Sequence, residues 1–430
     1  MSKPICIISC PIDTYSGYGA RSRDFVKSLI KTKGEEWDIK ILSQRWGQTP
    51  FGFLENESET DLKSRIIGAL TTGLPSQPEV WIQITVPNEF QPVGKFNIGV
   101  TAGIETTICD ASWIEGCNRM DLNLVSSDHS KKVFQSSVFE QKNQNGQTVG
   151  KLELKKPIEI LFEGVDLDKY FKSEDLKDFD IYDDINEIKE SFCYLFVGHW
   201  LQGDFGEDRK NVGYLIKAFL EVFKNKINKP ALILKTSQGA PSILDRERIL
   251  KKIEDIRKTV AGTDLPNIYL IHGDLYDEDI NCLYNHPKVK AMISLTKGEG
   301  FGRPLLEFSV IGKPIIASGW SGHIDFLNPE FAGLVGGTLT NVHISAHVPN
   351  MLLQESQWFK PDDNQTGHAL TDVFMNYKNY TEKAKRLAYK NKQSFSFDKM
   401  TEKLDELLKT YIPEFPKQVE IKLPKLKKIN

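Results

Sequence analysis

At 430 residues, with 40% hydrophobic and 26% charged side chains, the chain has an ordinary globular composition and the length for two or three domains around a large core. A formal net charge of −3 supplies no global basic field for nucleic acid, and no stretch reaches the roughly eighteen uncharged apolar residues of a membrane span. The six cysteines (Cys6, Cys10, Cys109, Cys117, Cys193, Cys282) form no C-x-x-C pair or zinc-spaced Cys/His cluster, and are expected as reduced, packed thiols of a cytoplasmic protein.

The N-terminal run to Ile8 reads as a first strand, 5–9, not as a signal peptide. A polar, glycine-bearing loop follows over 11–19. A helix is expected from near Ala20, with Phe25, Val26, Leu29 and Ile30 on one face. Later strands are expected at 39–42, 80–84, 96–100 and 123–126, then a helix through Lys131–Phe134. Residues 137–157, rich in Gln, Asn and Lys, read as a loop or irregular hairpin, and the charged stretch 172–190 as a solvated connection.

The second half alternates again. Strands are expected at 194–197, 231–235, 268–271, 289–295 and 314–317, with helices such as 212–223 and 243–258 between them. Such alternation implies parallel sheets covered on both faces. Helices are expected over 364–392 and 398–408, and the lysine-rich tail from 417 reads as extended. No short-period repeat is present.

The most informative segment is Gly298-Glu299-Gly300-Phe301-Gly302-Arg303-Pro304-Leu305-Leu306-Glu307. It joins a strand to a helix through three glycines, with Pro304 preset as the first helical residue. Leu305, Leu306, Phe308, Val310 and Ile311 form the apolar face, and Gly312-Lys313-Pro314 ends the helix. Ligands of open α/β sheets bind at such carboxyl ends of strands. A helix N-terminus attracts phosphate, and a carboxylate accepts two hydroxyls at once. Glu299 and Glu307 therefore bracket a phosphate position with hydroxyl acceptors, matching sugar, diphosphate and ribose. A turn with two surface glutamates accounts for the same residues less economically.

This segment resembles the E-x7-E signature of retaining GT-B glycosyltransferases of family 4. The resemblance continues through Ser318–Leu327 and covers most of the chain. Phe196-Val197-Gly198, Arg209-Lys210-Asn211 and Leu215–Phe219 resemble the start of the donor domain. Glu163-Gly164-Val165-Asp166 with Tyr170-Phe171 resembles the interdomain segment, and Trp358, Pro361 and Asp362 fit W-x-x-P-D.

The resemblance implies residue roles. Lys210 matches the phosphate lysine, with Arg209 beside it. His199 stands where the family often has an arginine, so His199, Arg209 or Arg303 takes that arginine's part. The loop Asp13–Arg21, with Gly17 and Gly19, resembles the first-domain glycine loop facing donor or acceptor; with Ser22 at the third glycine position it is no dinucleotide fingerprint. Glu105, after the strand ending at Val100, fits a cleft carboxylate that orients the acceptor hydroxyl or takes its proton. Gly300, Phe301, Gly302, Arg303 and Glu307 complete the donor side. Trp113 reads as packing. The D-x-D triplets at 166–168, 178–180 and 277–279 lie in linkers or before helices, and His343 and His347 have no carboxylate partner between them; no metal is assigned.

The expected architecture is α/β: two Rossmann-like doubly wound domains with an interdomain cleft. Their expected ranges are 1–165 on the acceptor side and 166–394 for the nucleotide-sugar, with a helix near 395–412 packing back on the first and a tail over 413–430. The implied reaction moves a sugar from a nucleotide-diphosphate sugar to an acceptor hydroxyl with retention and without a metal cofactor. The acceptor is left among a polysaccharide, a lipid-linked sugar, a protein and, from a loose similarity to phage-encoded members, a hydroxymethylated DNA base, which would set the reaction in a host cytoplasm. The alternatives are a nucleotide-sugar epimerase and a non-catalytic binding module of the same fold.

Overall fold

The computed structural model describes residues 3–415 except 48, 57–59, 69–73, 75, 144, 177, 178 and 240. The first half contains β1 (Ile5–Cys10), β2 (Asp38–Ser43), β3 (Val80–Ile84), β4 (Phe96–Val100), β5 (Leu122–Val125), the hairpin β6 (Phe139–Lys142) and β7 (Thr148–Leu152), and β8 (Ile158–Ile160). Its helices are α1 (Gly17–Lys33), α2 (Phe53–Asn56), α3 (Thr60–Ser64), α4 (Ala111–Arg119) and α5 (Asp128–Ser136). After α6 (Asp180–Asn186), the second half contains β9 (Cys193–Val197), β10 (Ala231–Lys235), β11 (Ile268–Ile271), β12 (Val289–Ser294), β13 (Ile315–Ser318), β14 (Gly333–Val335) and the antiparallel pair β15 (Gly337–Asn341) and β16 (Gln357–Pro361). Among its helices are α7 (Val212–Phe223), α8 (Ile243–Thr259), α9 (Asp277–Asn285) and α10 (Arg303–Ser309). The chain ends in α11 (Asp363–Met375), α12 (Tyr377–Ser394) and α13 (Phe397–Tyr411).

Two six-stranded sheets result, ordered β2-β1-β3-β4-β5-β8 and β11-β10-β9-β12-β13-β14. Every pairing within them is parallel. Their strands are near-continuous apolar runs, as in Cys193-Tyr194-Leu195-Phe196, because helices cover both faces. In each sheet the chain reverses direction beside the first strand, at β1/β3 and at β9/β12. The loops at these switch points face ligands in doubly wound folds.

The last helix joins the first sheet's core. Met400, Leu404, Leu407 and Leu408 lie in one buried cluster with Phe25, Val26 and Leu29 of α1, and Ser28 Oγ donates to Thr401 Oγ1 at 3.0 Å. No helix of the described residues is long and apolar enough to cross a membrane. All six cysteines are buried free thiols.

Several elements depart from expectation. Helix α1 begins at Gly17, not near Ala20, because Ser16 caps it by accepting from Gly19 N at 2.9 Å. Pro304 is the second helical residue, after Arg303. The stretch 172–190 is not wholly solvated: α6 buries Ile181 and Ile185. The helix expected over 364–392 breaks at Asn376 (φ −113°, ψ 29°) into α11 and α12. Asp362 caps α11, accepting from Gln365 N at 2.9 Å. Asp178 and the tail over 416–430 lie outside the described residues.

Candidate functional site

Two loops of the second half are stitched together at the carboxyl end of β12. Asn211, in the left-handed region at φ 57°, starts α7 and donates through Nδ2 to Leu295 O at 3.0 Å; asparagine tolerates this backbone well. Lys297 N donates to Arg209 O at 2.8 Å, and Arg209 Nη1 to Gly298 O at 2.8 Å. The loop carrying Arg209 and Lys210 is thereby fixed against the loop carrying Glu299. Lys210 Nζ lies 2.6 Å from Glu299 Oε1, and Arg209 Nη1 3.4 Å from Glu299 Oε2. A third loop, after β13, closes the nest: Glu299 N donates to Ser321 Oγ and Gly322 N to Glu299 O, both at 2.9 Å. Ser321 sits at φ 80°, backbone strain of the kind that gathers at functional sites.

The first half supplies the opposite wall. Glu105 Oε1 stands 3.6 Å from Arg209 Nη1. A Cβ on Gly298 would meet Glu105 O at 1.9 Å, and one on Gly300 would meet Ala102 O at 2.2 Å. Glycine at both positions is thus what lets the two halves dock. Ser126 Oγ, 2.6 Å from Ala102 O and 3.1 Å from Gly300 O, bridges them. Asp128 N at the start of α5 donates to Asp325 Oδ2 at 2.9 Å, and Thr107 and Gln357 exchange two hydrogen bonds of 2.9 Å.

Burial alone would raise the Glu299 pKa. The Lys210 and Arg209 cations overcome it and hold the carboxyl at about 2. Burial likewise works against Arg209, but Glu105 and Glu299 outweigh it and raise its pKa. Behind Glu299, fully buried His323 shares Nε2 with Ser318 O at 2.6 Å. Burial lowers its pKa, against the pull of the Glu299 charge.

Glu307 occupies a different environment. Gly302, in the left-handed region at φ 96°, turns the chain into α10. Arg303 Nε then reaches Glu307 Oε1 at 2.8 Å, one turn along. Tyr284 OH lies 3.5 Å from Glu307 Oε2. Here burial prevails over the Arg303 charge and lifts Glu307 to about 7. A cavity of about 140 Å³ opens beside it, bounded among others by Tyr170, Asp277, Arg303 and Glu307.

The other expected residues are placed as follows. His199, exposed at the end of β9, has Nδ1 3.1 Å from Ser237 Oγ; surrounding protein, then Lys235 and Lys210, lower its pKa. Gly17, with open space where a Cβ would point, and Gly19, against Thr14 O, form the first turn of α1 instead of a free loop. Phe301 is buried, its ring 5.1 Å from that of Phe326. Arg303 spends its charge on Glu307, Asp24 and Glu163. The Asp277 carboxylate takes Lys169 and Tyr170, and Trp113 is buried against Phe134. Among the described residues no three His, Cys, Asp or Glu side chains group as a metal site.

Sequence reasoning missed Ser321, His323, Ser126 and Asp24. Ser321 and His323 lay inside the segment matched after β13; Ser126 and Asp24 carry no local signal, their partners being 174 and 279 residues away.

Chemically, the site offers cations and backbone donors beside a buried anion, between two sheets, with a second carboxylate at a cavity. No family model and no curated protein matches the chain. Solved structures do. Sucrose-phosphate synthase from Thermosynechococcus elongatus is similar over 95% of this chain and 98% of its own, with 12% identity and a TM-score of 0.59. HepE from Anabaena, solved with UDP and glucose, is similar over 95% and 100%, with 10% identity and a TM-score of 0.57. A glycosyltransferase from Rickettsia africae is similar over 96% and 99%, with 13% identity and a TM-score of 0.56. The chain has the GT-B fold.

Proposed function

We propose that the chain is a glycosyltransferase that moves a sugar from a nucleotide-diphosphate sugar to an acceptor hydroxyl, with retention of configuration and without a metal cofactor. The observation that carries this reading is the meeting of Lys210, Arg209 and Glu299 with Glu105 of the opposite half, at the carboxyl ends of two parallel sheets. Breaking a sugar–diphosphate bond leaves negative charge on the departing oxygen, which fixed cations stabilise. Lys210 and Arg209 do this in the proposed reaction, beside the backbone of Gly302 and Arg303. Glu299 holds sugar hydroxyls and Glu307 the ribose hydroxyls. Glu105 faces the acceptor, as hydroxyl orienter or base. Retention rests on the resemblance of the Glu299–Glu307 segment: the diphosphate leaves from the face that the acceptor attacks. The buried free thiols support a cytoplasmic setting.

UDP is the first donor nucleotide to test, because the similar HepE structures hold UDP and UDP-glucose. A polysaccharide, a lipid-linked glycan and a hydroxymethylated DNA base are the acceptors to screen. The test is a thermal-shift series with UDP, GDP, ADP, CDP and their sugars, on wild type and Glu307→Ala. A ligand of the folded state raises the melting temperature by mass action. One nucleotide family should stabilise wild type and lose its effect in the variant. No shift at millimolar ligand overturns the donor site. Product analysis with donor alone separates transfer from epimerisation.

A further inference from the structure

Glu307 depends on the opposite half of the molecule. Arg303 gives its Nε to Glu307, while its Nη1 points the other way, 2.5 Å from Asp24 Oδ2 and 3.9 Å from Glu163 Oε2. Asp24 lies on α1, and Glu163 follows β8. A guanidinium is a rigid planar fork. Fixing one arm therefore fixes the direction of the other. Removing the Asp24 charge would leave Glu163, beyond hydrogen-bond length, as that arm's ion-pair partner, and would hold the guanidinium plane less firmly.

Glu307 needs such a partner. Its side chain is 7% exposed, and its nearest hydroxyl, Tyr284 OH, is at 3.5 Å. A carboxylate has about four acceptor positions. Arg303 takes one and Tyr284 approaches a second, which leaves two for a vicinal diol. Asp24 and Glu307 both line the 140 Å³ cavity, so the first half's carboxylate, the bridging arginine and the second half's carboxylate stand at one opening.

We propose that Asp24 is a positioning residue for the nucleotide: through Arg303 it holds Glu307 in the orientation that accepts the ribose diol, so the donor site is complete only when the two halves are docked. This rests on the glycosyltransferase reading above. The geometry makes Asp24 and Arg303 one device, so their losses should not add.

The test measures equilibrium binding of UDP and of 2′-deoxy-UDP, then donor KM and kcat, on wild type, Asp24→Asn, Asp24→Glu, Arg303→Lys, the Asp24→Asn/Arg303→Lys double variant and Glu307→Ala. Wild type should prefer UDP over the deoxy analogue. Asp24→Asn should weaken UDP roughly 10-fold, the scale of partners that orient a ligating side chain. It should also lose most of the preference for the ribo form and raise KM more than it lowers kcat. The double variant should match the worse single, and Asp24→Glu should recover part of the affinity. Melting curves establish that each variant is folded. If Asp24→Asn binds both ligands as wild type does while Glu307→Ala does not, the positioning role is overturned and the donor reading stands. If the losses of Asp24→Asn and Arg303→Lys multiply, the single device is overturned. If folded wild type binds no UDP and no other nucleoside diphosphate, both readings fall.

Discussion

Removing the charge of Glu299 tests the buried cluster directly. Glu299→Gln keeps the shape and strands Lys210 and Arg209, whose side chains are 13% and 16% exposed. In the folded chain the Glu299 pKa falls from an ordinary 4.5 to about 2. Each unit is worth about 1.36 kcal/mol, so at pH 7 the ionised carboxylate contributes about 3 kcal/mol. The side chain is 8% exposed, so solvent screening takes little from this figure. It agrees with the ~3–5 kcal/mol lost when one partner of a buried pair is removed. The folded pKa lies below the unfolded one. The contribution is therefore full above pH ~4.5 and disappears as the pH falls through 2, with roughly 2 kcal/mol remaining at pH 3.5. Urea unfolding of wild type and Glu299→Gln, followed by tryptophan fluorescence at pH 7 and pH 3.5, should show a gap of about 3 kcal/mol that narrows by about 1 kcal/mol in acid. A gap below ~1 kcal/mol, or one of equal size at both pH values, would refute an anion held by two cations.

Glu307 should behave in the opposite sense. Its folded pKa is raised to about 7, by burial against the pull of Arg303. The penalty of ionisation is thus absent below pH ~4.5 and full above 7, and the stability gain of Glu307→Gln over wild type should grow from roughly 1 kcal/mol at pH 5 to roughly 3 kcal/mol at pH 8; a stability difference flat with pH in urea titrations would count against this. Gly300→Ala would put a Cβ 2.2 Å from Ala102 O. It should cost about 1–3 kcal/mol by overpacking and abolish the proposed transfer, whereas Gly17→Ala, with open space around it, should stay within ~0.5 kcal/mol of wild type; equal melting of the two variants would remove the docking argument. Leu404→Ala, fully buried in the first sheet's core, should cost about 2–5 kcal/mol. A loss under ~1 kcal/mol would mean that α13 contributes little to that core.

Local signals carried most of the fold. The strands β3, β4, β10 and β11 and the helix α7 were readable to their end residues, because short apolar runs and one amphipathic stripe leave little choice of boundary. Misreadings arose where a local rule met a competing one. Gly17 and Gly19 argue against helix by propensity, yet the first turn has unpaired N–H groups in any case, and the Ser16 cap outweighs the glycines. Ile181 and Ile185, four residues apart, were the available sign of α6 within a charged run. The break at Asn376 carries no glycine or proline, so nothing local marked it.

The site divides along the same line. The glycine turn and its two glutamates are a local pattern, and the pattern treats both carboxylates alike. Their surroundings do not. Glu299 meets cations brought from β9's following loop, 89 and 90 residues earlier. Glu307 meets one arginine whose other arm is claimed by a helix 279 residues away. Near neutral pH the first carboxylate is therefore a fixed anion at about 2, and the second sits close to its midpoint at about 7. Seven intervening residues set where the two oxygen pairs stand. The long-range partners decide that one is a permanent counter-ion to Lys210 and Arg209, and the other an acceptor whose charge can respond to whatever binds beside it.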